Sequence, residues 1–151
     1  MKKALVCVSF GTSVPAGREN ITAVENVLRQ SAHDRVFISA FTGGVIRRLL
    51  RERGEVVRGM AEALEELWKQ GVTEVLVQPT HILCGHEHDK LKREAEPWRD
   101  KFDALRIGRP LLTDTGDLQT LAAVLYAAGP LNTSEAADEL LRVEHGRRST
   151  I

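Results

Sequence analysis

The chain has little cysteine, no net charge and no long apolar run. It has two cysteines among 151 residues and no sign of export. It therefore has no disulfide framework, and its free thiols point to a reducing compartment, so the cytoplasm is the expected location. Basic residues number 21 and acidic residues 21, a balance that argues against nucleic acid held by neutralising many phosphates. No stretch approaches the ~20 apolar residues a membrane helix needs, so no membrane partner is expected. The opening MKKALVCVSFGTS has a basic tip, but its apolar run is shorter than the ~7–15 residues of a signal-peptide core and alternates as a strand does. The chain also lacks the lysine-bearing phosphate loop, the GxGxxG of dinucleotide folds and the C-x-x-C pairs of structural zinc sites.

What remains is the composition of one globular domain, 42% hydrophobic and 28% charged. KALVCV reads as a short strand buried on both faces. After the turn-rich SFGTSVPAG, residues 18–32 place Ile21, Val24, Val27 and Leu28 at helical spacing. RVFISA is a second strand. Thr42 is then positioned to cap a helix through GGVIRRLLRER, with Val45, Ile46, Leu49 and Leu50 as its apolar face and Gly54 at its end. RGMAEALEELWKQG is the clearest helix, with Met60, Ala63, Leu64, Leu67 and Trp68 on one side and Gly71 to stop it. TEVLVQP is a third strand. DKLKREAEPWRDKF is helical up to a kink or new turn at Pro97. LRIGRP is a fourth strand, and DLQTLAAVLYAAG a helix ended by Gly129. Alternating strands and helices with short links predict a single three-layer α/β domain with a mostly parallel sheet of four to five strands. Residues 1–130 are expected to form this lobe. Residues 131–151, basic and polar at their end, read as the truncated or divergent start of something further.

In such sheets ligands bind beyond the carboxyl ends of the strands. Two loops lie there, SFGTS and QPTHILCGHEHDKL. The second holds His81, Cys84, His86, Glu87 and His88, whose nitrogen, oxygen and sulfur donors suit Zn²⁺, Co²⁺, Ni²⁺ or Fe²⁺. His86 and His88 point apart whether the segment is extended or helical, so an open site of one to three ligands fits better than a closed one. The alternative is a solvated loop with His81 bonded to backbone and Cys84 packed inside. Cys7, mid-strand, reads as a core residue, and His33 as a surface one. SFGTS offers hydroxyls and N–H groups ahead of a helix, a common place to hold an anion. Arg47, Arg48, Arg51 and Arg53 form either a solvated face or a clamp for a polyanion.

Taken together, KALVCVSFGTS, AFTGGVIRRLLRERG, GVTEVLVQPTHILCGHEHDKL and RIGRPLLTDTGD resemble the first half of the anaerobic sirohydrochlorin cobaltochelatases of vitamin B12 biosynthesis, members of the class II chelatases. The resemblance runs over about residues 2–130. It implies one of two similar α/β lobes that face each other across a tetrapyrrole cleft, in proteins nearly twice as long. In that family the second lobe opens with a strand ending in Gly-His-Gly, whose histidine binds metal. His145 and Gly146 fall at the matching place here, with Glu144 in place of the first glycine. A later metal-binding histidine has no counterpart. The family usually has tyrosine where His88 stands, and no histidine at His86.

The resemblance therefore implies a cobaltochelatase that inserts Co²⁺, its substrate metal, into sirohydrochlorin without an organic cofactor. His81 would be a base or orienting group, Glu87 a proton acceptor or metal carboxylate, and His145 a catalytic metal ligand, with His86 and His88 as further metal candidates. Ser9, Phe10, Gly11, Thr12, Ser13 and Arg47 would hold the carboxylate-rich rim of the macrocycle. One lobe cannot enclose the ring, so a homodimer or a missing second lobe is implied. The competing expectations are a non-catalytic metal- or tetrapyrrole-binding half-chelatase and, more remotely, a flavodoxin-like phosphate or nucleotide binder.

Overall fold

A computed structural model describes residues 1–128, which fall into two compact units, Met1–Thr113 and a second that begins at Asp114. The first unit carries strands β1 (Lys3–Ser9), β2 (Val36–Phe41), β3 (Glu74–Pro79) and β4 (Ala104–Ile107). They form a wholly parallel sheet in the order β2-β1-β3-β4. Parallel neighbours cannot be joined by a tight turn, so helices make the crossovers. These are α1 (Pro15–Ser31), α2 (Gly44–Glu52), α3 (Met60–Lys69) and α4 (His86–Ala95), the last running into a 3-10 segment, Glu96–Lys101. The α/β class and the parallel sheet are those the sequence predicts. Pro97 sits in the 3-10 segment, where the chain leaves the α-helix as expected.

β1 is paired on both edges, and every residue from Ala4 to Ser9 is buried. That is why the segment reads as a continuous apolar run. Alternate residues serve opposite faces. Ala4, Val6 and Val8 join Val75 and Val77 against Met60, Ala63, Leu64 and Leu67 of α3 and Leu91 and Ala95 of α4 in one core cluster. Each large side chain buried there contributes about 1.5–3 kcal/mol.

The helices on the rest of the fold depart from their apolar stripes. In α1 no residue is fully buried, and Val24 and Val27 are exposed. In α2 only Leu50 is buried, while Val45 and Leu49 face outward. Trp68, expected in the core, is 47% exposed, with the Lys101 ammonium 5.4 Å from its ring centroid. Thr42 does not cap α2 with its side chain. The N-cap is Gly43, with no side-chain bond. Gly54 and Gly71, both at positive φ, follow α2 and α3 as the sequence suggests.

In the second unit, α5 (Thr115–Ala127) opens with a reciprocal cap in which Asp114 Oδ1 accepts from the Asp117 N–H at 2.9 Å and Asp117 Oδ2 accepts from the Asp114 N–H at 3.3 Å. Gly129 and residues 131–151 lie outside the described residues.

Candidate functional site

The carboxyl ends of β1, β2 and β3 are joined by backbone hydrogen bonds beyond the sheet. The Thr42 N–H donates to the Ser9 carbonyl at 2.8 Å, the Gly43 N–H to the Phe10 carbonyl at 2.9 Å, and the Thr80 N–H to the Val8 carbonyl at 2.8 Å. The loop after β3 is braced from the other side. The Leu111 and Leu112 N–H groups donate to the carbonyls of His81 and Ile82 at 3.0 and 2.8 Å, and Leu83 forms a parallel bridge with Leu112. The RPLL segment thus holds the histidine loop in place.

Between these ends lies a hollow of about 460 Å³, lined among others by Phe10, His81, Ile82, Leu83, His86 and Glu87. Its apolar members face solvent, with Phe10 49%, Ile82 59% and Leu83 63% exposed. Exposed large apolar side chains grouped beside a few polar ones are the usual make-up of a ligand surface. A smaller cavity of about 130 Å³ lies between α1 and β2, and Arg18, Glu25, Ser39 and Arg58 line it. Its charged groups are largely engaged: Glu25 accepts from Ser39, Arg58 pairs with Glu66 at 2.5 Å, and Arg18 lies 3.4 Å from Glu55.

α4 begins at His86, three residues before the helix expected from DKLKREA, so Glu87 and Asp89 occupy its first turn. Carboxylates are favoured there by the helix dipole. The same start separates the histidines. His86 is exposed on the hollow, whereas His88 turns inward and is 4% exposed, with Nδ1 unpartnered. Burial, with Lys92 nearby, lowers the His88 pKa, against a weaker opposing pull from Asp89. Cys84 is an exposed free thiol rather than a packed one. Cys7 is buried as expected, and burial together with Glu25 pushes its pKa up to about 12.

His81 is half-buried, and its partner is a side chain rather than backbone: Nε2 lies 3.4 Å from Thr42 Oγ1. Its Nδ1 and the Oε2 of Glu87 are both shut off from solvent without a hydrogen-bond partner. Burial lowers the His81 pKa. The Glu87 carboxylate opposes that shift, and His88 adds to it. The imidazole therefore takes up a proton less readily than an ordinary histidine.

The other residues singled out from sequence are dispersed. Ser9 is buried with its hydroxyl unpartnered. Gly11 has φ of 89°, and a Cβ there would meet the Phe41 ring at 2.6 Å, so the turn after β1 requires glycine. The Thr12 hydroxyl accepts from the Val14 N–H at 3.2 Å, and the Ser13 carbonyl accepts from Arg53 at 2.9 Å. Arg47 reaches to 3.8 Å from Glu62, which also receives Arg51. His145 lies outside the described residues. Among the described residues no group of three or more His, Cys, Asp or Glu is arranged to hold one metal ion. Sequence reasoning gave Thr42 only a capping role and passed over Lys90, whose ammonium donates to the Thr42 carbonyl at 2.6 Å. A threonine between a strand and a helix reads as a cap, and a lysine on a charged helix reads as a solvated one.

A family model described as cobalt chelatase (CbiK) matches residues 3–150. The chain is 41% identical over 132 residues to the sirohydrochlorin cobaltochelatase of Salmonella typhimurium, covering 86% of this chain and 50% of that protein. It is 29% identical over 149 residues to sirohydrochlorin cobaltochelatase CbiKC of Nitratidesulfovibrio vulgaris, covering 97% and 52%. The chain thus spans about half the length of the curated relatives it matches. Among solved structures, a CbiX protein from Marinobacter aquaeolei VT8 superposes with a TM-score of 0.58 at 15% identity, covering 96% of this chain and all of that one. At that identity the likeness concerns the fold alone.

Proposed function

Because the chain belongs to the cobalt chelatase (CbiK) family, we propose that it forms one lobe of a sirohydrochlorin cobaltochelatase, acting in cobalamin biosynthesis in the cytoplasm. The observation that carries this reading is the pairing of two unpartnered buried polar atoms, His81 Nδ1 and Glu87 Oε2, with an exposed apolar surface in one hollow. Buried polar groups are nearly always satisfied, so those left over call for an explanation. A substrate that is flat, apolar on its faces and able to release protons supplies one.

Phe10, Ile82 and Leu83 seat a face of the macrocycle. Two pyrrolic protons leave the ring as the divalent ion enters, with the N–H electron pairs staying on the ring nitrogens, so charge balances and no electron is transferred. No organic cofactor is required. Glu87 accepts one of these protons, solvent at the open side of the hollow takes the other, and His81 orients the carboxylate. His145 is the metal ligand of this reading, with His86, open on the hollow, as a second candidate, while His88, turned inward, does not reach the hollow. The N–H groups and hydroxyls of Phe10 to Ser13 serve the rim of the substrate, whereas Ser9 is buried and Arg47, assigned to the same rim, is drawn toward Glu62.

A second lobe completes the cleft, either a second copy of this chain or a lobe like the one that makes up the other half of the relatives' length. This is supported by the length of the relatives and by the lack of any three-ligand group among the described residues. That lack also favours a second reading, a half-chelatase that binds tetrapyrrole without turning it over. Anaerobic mixing of the protein, Co²⁺ and sirohydrochlorin separates the two. Acceleration over the spontaneous absorption change, lost in His81→Ala and Glu87→Ala, supports the enzyme, whereas binding without acceleration supports the module. A strictly monomeric species that still metallates the ring would remove the need for a second lobe.

A further inference from the structure

The helix that carries Glu87 has little to hold its first turn. The N-cap of α4 is Gly85, which offers no side-chain bond, and the residues it buries are His88, Leu91 and Ala95. Packing of this kind is non-directional, so it does not by itself set how the helix is turned about its axis. Lys90 supplies a directional contact. Its ammonium donates to the Thr42 carbonyl at 2.6 Å. Among the described residues this is the one side-chain hydrogen bond or ion pair that α4 makes to another part of the fold. Thr42 is 1% exposed, and its own N–H is bound to the Ser9 carbonyl of β1 at 2.8 Å. Its carbonyl is therefore a fixed point at the strand ends, and a buried carbonyl is costly to leave without a donor. Glu87 precedes Lys90 by three residues, so the two lie side by side on one face of α4.

We propose that Lys90 is a positioning residue of the site: by tying α4 to the Thr42 carbonyl it fixes the first turn of that helix, and with it the Glu87 carboxylate, against the ends of the strands. This deepens the chelatase reading and rests on it for the rate alone. A base must lie within hydrogen-bond reach of the proton it takes, and a misplacement of about 1 Å costs on the order of 100-fold in rate. Loss of the tie is felt in turnover rather than in binding. Ile82 and Leu83, which seat the ring, stand on a loop braced separately by Leu111 and Leu112.

The test uses the full chain labelled with ¹⁵N. Lys90→Met keeps a side chain of similar length without a donor, and Lys90→Arg keeps a charged donor. Hydrogen exchange is followed at the Asp89 amide, which bonds to the Gly85 carbonyl at 3.0 Å, and at the Leu67 amide within α3. Lys90→Met is expected to speed exchange at Asp89 by about 10-fold, the scale of a hydrogen bond to a charged group, and to leave Leu67 unchanged. In cobalt insertion into sirohydrochlorin the same variant should lower kcat by about 10- to 100-fold with little change in KM. Lys90→Arg should recover most of both. Equal exchange at Asp89 in wild type and Lys90→Met overturns the inference. So does acceleration at Leu67 to the same degree, which would make the lysine a support of the whole fold. A raised KM with unchanged kcat overturns it too, since Lys90 would then be touching substrate. In the wild type alone, Lys90 ammonium protons that exchange as freely as those of Lys69 on the surface overturn it even if no variant folds. If exchange behaves as stated but the wild type accelerates nothing, the tie stands and the chelatase reading fails.

Discussion

The interior under α3 and the hollow at the strand ends obey opposite rules. Under α3, Met60, Ala63, Leu64 and Leu67 are wholly buried against strand residues that present only hydrocarbon. At the strand ends, Phe10, Ile82 and Leu83 lie open while polar atoms are sealed in. Of the eight buried side-chain polar atoms without a partner among the described residues, four belong to Ser9, His81, Glu87 and His88. The first region is arranged for stability. The second carries unmet hydrogen bonds, the mark of a place kept ready for something else.

Four experiments would sharpen or break that contrast. The largest effect is expected from Leu64→Ala or Leu67→Ala, each costing about 2–5 kcal/mol by urea unfolding. A loss below 1 kcal/mol would mean the α3 face is not the keel of the fold. Next, Glu87→Gln is expected to slow cobalt insertion by about 100-fold while leaving the urea midpoint unchanged. A large fall in stability instead would make the carboxylate structural.

Acid should then separate the regions. His81 and His88 both titrate below their usual 6.5 in the folded state. The unfolded chain therefore takes up protons first, and stability is lost as pH falls from 6.5 toward the folded values. Double replacement by Gln should flatten that slope, as read from unfolding midpoints across the range. The smallest change is chemical: native protein should be alkylated at Cys84 within minutes and at Cys7 only on unfolding, as mass mapping would show. Rapid modification of Cys7 would mean that the sheet interior opens readily.

The parts of the fold legible in the sequence were those where one physical demand acts alone. KALVCV announces a strand because both faces are covered, TEVLVQP because alternate residues are buried, and MAEALEEL announces a helix because one stripe meets the sheet. Val24, Val27, Val45 and Leu49 have the spacing of buried residues yet lie exposed, because periodicity records which residues share a face and not whether anything covers it. Site residues were legible as a crowd in one loop. Their arrangement was not, since the start of α4 at His86 decides which histidine sees the hollow, and helix starts are poorly marked when Gly85 provides no capping side chain. Thr42 was noticed for the wrong reason, because its hydroxyl serves a histidine 39 residues away rather than the helix beside it.

The strand order has a consequence for synthesis. β1 is made before the other three strands of its sheet and lies between β2 and β3, so one of its edges finds a neighbour only when residues 74–79 have left the ribosome. At ordinary elongation rates that interval is on the order of seconds. During it, KALVCV is an apolar ribbon with a bare side, and the nascent chain is most exposed to mispairing just before its third strand arrives.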